Sequence, residues 1–167
     1  MNDMIHILLP VHNRREITRR FIECLKVQTY QHFHLVLIDD GSTDGTAEMV
    51  RENITNLTVI TGKGNWWWAG SLQQGYQWLK KRNILKSDLV LIINDDVEFE
   101  ADFLENAQSF IRCHEQTLLQ AQCYSRQNGL LLDTGVHVDW FKLTHEITHI
   151  PEQVNCLSTN GLFMTFS

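Results

Sequence analysis

The sequence predicts a doubly wound α/β domain with a mostly parallel central sheet and helices on both faces. Three observations carry this reading. Short apolar runs of strand length alternate with segments whose apolar residues recur every three or four positions. One run, Leu89-Val90-Leu91-Ile92-Ile93, is apolar at every position, as expected of a parallel strand covered on both sides. Polar clusters, Asp39-Asp40 and Asn94-Asp95-Asp96, directly follow two of the runs, and such sheets bind their ligands beyond the carboxyl ends of their strands.

In order, Ile5 to Leu9 forms a first strand closed by Pro10, and Ile17, Phe21 and Leu25 mark the inward face of a helix. Leu35 to Ile38 is a second strand ending in Asp39-Asp40-Gly41, followed by a helix whose face is set by Ala47, Val50 and Ile54. Leu57 to Thr61 is a third, leading into the loop Gly62-Lys63-Gly64-Asn65. A stripe of Leu72, Tyr76 and Leu79 marks the helix before the apolar strand at 89–93. Beyond residue 115 the alternation gives way to strand-like pieces at Leu130 to Leu132, Val136 to Val138 and Leu162 to Phe166. No repeat, low-complexity tract or linker interrupts the chain, so a single domain spanning residues 1–167 is expected.

A length of 167 residues is enough for one domain with a real core. Hydrophobic content of 43% with 20% charge is ordinary for a globular protein, and no apolar run approaches the ~20 residues of a spanning helix. The start, Met1-Asn2-Asp3-Met4, has no basic region and the apolar stretch after it stops at Pro10, unlike a secretory signal. A cytoplasmic location is expected, with attachment at the inner face of a membrane compatible with it. Cys24, Cys113, Cys123 and Cys156 have no CxxC spacing and read as reduced thiols. The net charge of −6 and the lack of a Lys/Arg cluster argue against nucleic acid as a partner. An anionic ligand would need a metal or a local backbone site.

A parallel sheet brings Asp39-Asp40 and Asp95-Asp96 to the same edge. Carboxylates there can hold Mg²⁺ or Mn²⁺, and the cation can bridge a diphosphate and neutralise the charge that grows as it leaves. A single Asp-Gly-Ser is more simply a helix cap or turn; two clusters at matching positions favour a site. Asp40-Gly41-Ser42-Thr43-Asp44-Gly45 imitates the start of a calcium loop, but its twelfth position is Arg51 where a glutamate is needed.

His145-Glu146-Ile147-Thr148-His149 matches the zinc-protease pattern H-E-x-x-H, which requires a helix. Leu143, Thr144, Ile147 and Thr148 favour a strand, and Pro151 follows. Four strand residues separate the histidines by about 13 Å, too far to share a zinc with ligands ~2 Å away. The segment 143–149 is therefore expected to be extended or irregular.

Leu9-Pro10-Val11-His12-Asn13-Arg14, Ile38-Asp39-Asp40-Gly41-Ser42-Thr43-Asp44-Gly45-Thr46 and Ile93-Asn94-Asp95-Asp96-Val97 together resemble the successive signatures of family 2 glycosyltransferases. Gly64-Asn65-Trp66-Trp67-Trp68-Ala69-Gly70-Ser71-Leu72-Gln73-Gln74-Gly75 resembles that family's third block as found in bacterial surface-polysaccharide transferases, with Gln73 where asparagine is usual. The resemblance implies the Rossmann-like glycosyltransferase A fold and transfer of a sugar, with inversion, from a nucleoside diphosphate of the UDP or dTDP type to a saccharide or lipid-linked acceptor. It implies a nucleotide site drawn from Pro10, His12, Asn13, Asp39, Asp40, Asn65, Gly70, Asn94 and Asp95, with His12 where tyrosine is common. The family's Asp-x-Asp motif falls on Asn94-Asp95-Asp96, which makes Asp96 the metal ligand for Mg²⁺ or Mn²⁺. Asn94 stands in place of the first carboxylate, which should weaken the metal's hold.

Three consecutive tryptophans cannot all point inward from one element, so at least one is exposed or lies against a ligand, and Trp68 is the candidate. Gly70 and Gly75 would let a helix start pass close to a phosphate, or, for Gly75, let the helix pack on the sheet. The resemblance places the general base on a segment after the Gly161-Leu162-Phe163 strand, beyond Ser167, so the catalytic residue is unassigned and the chain is expected to be the donor-binding half, inactive by itself. Two other readings compete. A non-catalytic nucleotide-binding module fits the missing base and Asn94, whereas a sugar-nucleotide pyrophosphorylase would need a basic Gly-rich loop where Pro10-Val11-His12-Asn13 stands.

Overall fold

A computed structural model describes residues 3–82, 84–114 and 117–165. Four strands, β1 (Ile5–Val11), β2 (Phe33–Asp39), β3 (Leu57–Thr61) and β4 (Leu89–Ile92), are separated by helices α1 (Arg15–Lys26), α2 (Thr46–Asn53) and α3 (Trp67–Lys80). Helix α4 (Phe103–Cys113) follows, then β5 (Leu119–Gln120), β6 (Cys123–Tyr124), β7 (Leu131–Asp133), β8 (Val136–Asp139), β9 (Thr144–Ile147) and β10 (Leu162–Thr165). The main sheet runs β3-β2-β1-β4-β10-β5. Its first four strands are parallel, and β10 joins antiparallel between β4 and β5.

The period of two in the strands divides the core into two layers. Ile5, Ile7, Leu9, Leu35, Leu37, Leu89 and Leu91 face one side with Phe21, Ile22 and Leu25 of α1, Ala47 and Val50 of α2 and Leu104 and Ile111 of α4. Leu8, Val36, Ile38 and Val90 face the other, against Leu72, Trp78 and Leu79 of α3. Apolar residues on both faces of β1, β2 and β4 are what force helices onto both sides.

Helix faces differ from the expected stripes in two places. In α1 the buried residues are Thr18, Phe21, Ile22 and Leu25, and Ile17 is exposed. In α3 the buried line is Ser71, Gly75 and Leu79, while Tyr76 turns outward beneath Lys80. The cause is close packing: a Cβ on Gly75 would lie 2.8 Å from Ile38 Cδ1 and 3.2 Å from Leu8 Cδ1. Gly75 thus serves helix–sheet contact.

The strand-like pieces at the C-terminal end become β7, β8 and β10, each within a residue or two of its expected place; Phe166 lies outside the described residues. His145, Glu146 and Ile147 of the H-E-x-x-H segment lie in β9, paired antiparallel with β8, and Thr148 and His149 follow it without helix, so the helix that a zinc-protease pattern requires is absent here. All four cysteines are free thiols.

His6 is buried on β1 beside His34 and Trp78, with Nε2 3.5 Å from Asp88 Oδ2. Burial holds the His6 imidazole below its ordinary value of 6.5, against the opposing pull of Asp88. Burial likewise lowers His34, with His6 and Arg82 acting in the same direction. An unfolded chain then binds more protons than the folded one just below pH 6.5, so the stability from neutral burial is complete above 6.5 and is lost as pH falls below it. Thermal unfolding between about pH 7.5 and about pH 5.5 should show a falling midpoint. His6→Leu should flatten that slope.

Candidate functional site

The four parallel strands deliver their carboxyl ends to one edge, and a cleft of about 380 Å³ opens there. Pro10, Val11, His12 and Arg14 come from the end of β1, Asp40 from β2, Gly64 from the loop after β3, and Asn94, Asp95 and Asp96 from the end of β4. Trp67, Trp68 and Ser71 of α3 complete the wall. The volume falls in the range of small-ligand sites.

The Asp40 carboxylate is committed to the backbone. Its Oδ1 accepts the N–H groups of Gly64 at 2.8 Å and Asn65 at 3.2 Å, and its Oδ2 those of Trp66 at 2.7 Å and Trp67 at 3.1 Å. These are orphan donors at the start of α3, which has no side-chain cap of its own, so Asp40 caps that helix from a different strand. Burial acts to raise the carboxyl, but the four donors outweigh it and hold it below the usual range. Gly62 makes room, since a Cβ there would lie 2.4 Å from Asp40 Oδ1.

Asp39, expected beside Asp40 in the cleft, is not among the residues lining it. It is buried beneath the turn, where Oδ1 accepts from Ser42 N at 2.9 Å and its carbonyl accepts from Gly41 N and Gly62 N. Asp40, Asp95 and Asp96 do share the cleft.

Asn13 also lies off the cleft. Its N–H donates to Ser42 Oγ at 2.9 Å and its Oδ1 accepts from Thr43 N at 2.8 Å, tying the β1 and β2 loops together. His12 donates from Nδ1 to the Asp40 carbonyl at 2.6 Å, since a carbonyl can only accept, and its Nε2 accepts from Asn13 Nδ2. Asn65 contributes through its N–H to Asp40, and Gly70 leaves room for Trp66, whose Cβ would lie 3.1 Å from an added Cβ.

The tryptophans divide as their sequence requires. Trp66 is half-buried against the core, Trp67 is 82% exposed at φ +56°, and Trp68 is exposed at the cleft with Nε1 donating to Asn94 Oδ1 at 2.9 Å. Asn94 in turn donates from Nδ2 to Asn160 Oδ1 at 2.7 Å. An amide is needed there because Asn94 must accept on one side and donate on the other, which a carboxylate cannot do.

Asp95 and Asp96 differ. Asp95 is buried and accepts from Thr18 Oγ1 at 2.7 Å, and burial raises its carboxyl against the pull of Thr18 and Arg14. Asp96 has a half-exposed side chain. Arg14 spans both, with Nε 3.0 Å from Asp95 Oδ1 and Nη2 3.1 Å from Asp96 Oδ2. Arg14, Trp67 and Ser71 are cleft residues that the sequence pattern does not single out. Arg14 follows Asn13 in the first signature, but only the fold reveals the carboxylates 81 and 82 positions away that it meets.

A model of glycosyl transferase family 2 matches residues 6–165. The chain belongs to glycosyl transferase family 2. It is 33% identical to glycosyltransferase GlyA of Streptococcus pneumoniae over 127 residues, which is 75% of this chain and 17% of GlyA. It is 24% identical to glycosyltransferase GlyG of the same organism over 110 residues, 63% of this chain and 34% of GlyG. The chain therefore spans about a third of one of these curated relatives and about a sixth of the other. Among solved structures, S. aureus TarS 1-349 superposes with a TM-score of 0.67 at 21% identity, covering 97% of this chain and 47% of that one. The mannosyltransferase PcManGT from Pyrobaculum calidifontis, in complex with GDP-Man and Mn²⁺, gives 0.60 at 19% identity, covering 74% of this chain and 36% of that one. These likenesses identify the fold as that of glycosyltransferase A.

Among the described residues no group of three or more His, Cys, Asp and Glu is arranged to hold a metal. A site of another kind, in which Mg²⁺ or Mn²⁺ takes one or two carboxylates and completes its shell with phosphate oxygens and water, would need fewer protein ligands. Among the carboxylates lining the cleft, the half-exposed Asp96 is the one that could take part in such a shell.

Removing the Asp40 carboxylate should unfasten α3 from β2. Hydrogen bonds to a charged group contribute about 1.5–3 kcal/mol each, so Asp40→Ala should cost at least about 3 kcal/mol in a urea titration. Asp40→Asn, which keeps one acceptor oxygen, should cost less.

Proposed function

We propose that this family 2 domain binds the nucleoside-diphosphate donor of a sugar transfer in the cleft between β1, β4 and α3, with a divalent cation carried between Asp96 and the diphosphate. The observation that carries the reading is the half-exposed Asp96 beside the buried Asp95, at the carboxyl edge of a parallel sheet and under the N-terminal turn of α3. The complexes of relatives of this fold with GDP-Man and Mn²⁺, with UDP and with UDP-GlcNAc support a nucleotide sugar as the ligand class.

The donor's nucleoside lies along Pro10, His12 and the loop that Asp40 holds, and Trp68, fixed by Asn94, forms a flat wall for the base or sugar. Arg14 offsets one negative charge of the Asp95–Asp96 pair. A diphosphate adds at least two more, and at a few ångströms in a partly buried site that repulsion is on the order of several kcal/mol. A cation held by Asp96 would supply the compensating charge and stabilise the diphosphate as a leaving group.

Transfer proceeds by attack of an acceptor hydroxyl on the anomeric carbon with inversion, in assembly of a polysaccharide or glycoconjugate. Asp40 is committed to four N–H donors and Asp95 to Thr18 and Arg14, so neither is placed to take the acceptor's proton.

Calorimetry with uridine, thymidine and guanosine diphosphates, with and without Mn²⁺, tests the binding. Affinity should rise at least about tenfold with Mn²⁺ for the preferred base, and Asp96→Ala should erase that increment. Equal binding in the presence of chelator would remove the cation from the reading.

A further inference from the structure

We propose that Arg14 couples cation entry to diphosphate arrival. In the ligand-free chain its guanidinium holds Asp96 and keeps a lone divalent cation out; when a diphosphate brings its cation, Arg14 stays on Asp95, releases Asp96 and turns the freed arm to phosphate. This rests on the donor site proposed above.

The geometry sets up the exchange. Both carboxylates are engaged by one side chain, through Nε on Asp95 and Nη2 on Asp96. The two holds are unequal. Asp95 is buried and also fixed by Thr18, whereas the Asp96 side chain is 54% exposed. The Nε–H of Arg14 is buried and finds no well-aligned acceptor, although Asp95 Oδ1 lies 3.0 Å away, so the pairing is an ionic contact with an unsatisfied donor.

Charge sets the direction of the exchange. Among the described residues lining the cleft, Arg14 is the one Lys or Arg. A divalent cation on Asp96 would sit within a few ångströms of the guanidinium, and with no anion between them the like charges repel. A diphosphate reverses the sign: it screens the cation from Arg14 and offers the planar, bidentate acceptors that a guanidinium prefers. Cation and diphosphate then bind with positive coupling, and because coupling is reciprocal each raises the affinity for the other by the same factor.

The test is titration of Mn²⁺ into the full chain, following the loss of the free-ion electron paramagnetic resonance signal, with and without uridine or guanosine diphosphate. Wild type should bind Mn²⁺ weakly alone and much more tightly with nucleotide. Arg14→Gln should bind Mn²⁺ alone about tenfold or more tighter, the scale on which a neighbouring charge shifts a carboxylate's affinity for a cation such as the proton, and should lose most of the coupling. Arg14→Lys keeps a charge but cannot fork across two carboxylates, so it should fall between, and it serves if Arg14→Gln does not fold. Unchanged or weaker Mn²⁺ binding by Arg14→Gln, or tight nucleotide-free binding by wild type, would overturn the coupling while leaving the donor site standing. Failure of wild type to bind any nucleotide–Mn²⁺ pair would remove the donor site and this inference with it.

Discussion

The cleft depends on a single carboxylate bridging two parts of the fold. Asp40 leaves the end of β2 and receives four successive backbone N–H groups, from Gly64 to Trp67, at the point where the β3 loop becomes α3. Without a local cap, that turn of α3 would present orphan donors, and the same interaction that satisfies them sets where the helix begins. The position of Trp68, and through it the contact with Asn94 and Asn160, follows from that anchor. His12 lies on the carbonyl of the same residue, so β1, β2 and α3 meet around Asp40.

A second constraint is charge. The end of β4 presents two adjacent carboxylates to an edge already carrying Asp40, and the fold resolves the crowding by giving each a separate role. Asp40 becomes a cap, Asp95 is buried against Thr18 and Arg14, and Asp96 stays half-exposed. The sequence motifs already set Asp96 apart from Asp39, Asp40 and Asp95, but the partners that separate them are visible only in the fold. Their partners make them unlike, and of the three at the cleft Asp96 alone keeps a half-exposed side chain.

The architecture was legible because β1, β2 and β4 are apolar on both faces, which commits them to a sheet interior with helices on either side. The face of α3 was not, because its contact with the sheet runs through Ser71 and Gly75, and small residues leave no trace in a hydrophobic stripe. The convergence of Asp40 with Asp95 and Asp96 was readable from strand order. The burial of Asp39, the capping by Asp40 and the bridge made by Arg14 were not, since each rests on partners in separate loops. Asn94 is the instructive residue: read as the amide that stands in place of the motif's first carboxylate, it is held between Trp68 and Asn160 by hydrogen bonds that need an amide.

The likeness to glycosyltransferases settles the family and fold; the assignment of the cleft rests on its own chemistry. The most direct test is the anomalous diffraction signal of manganese in crystals of this chain grown with Mn²⁺ and the diphosphate that binds best. The account predicts one peak in bonding contact with Asp96, between the diphosphate and the end of β4, with the nucleoside against His12 and Trp68. A peak elsewhere, or nucleotide bound away from the edge where β1 and β4 end, would contradict it.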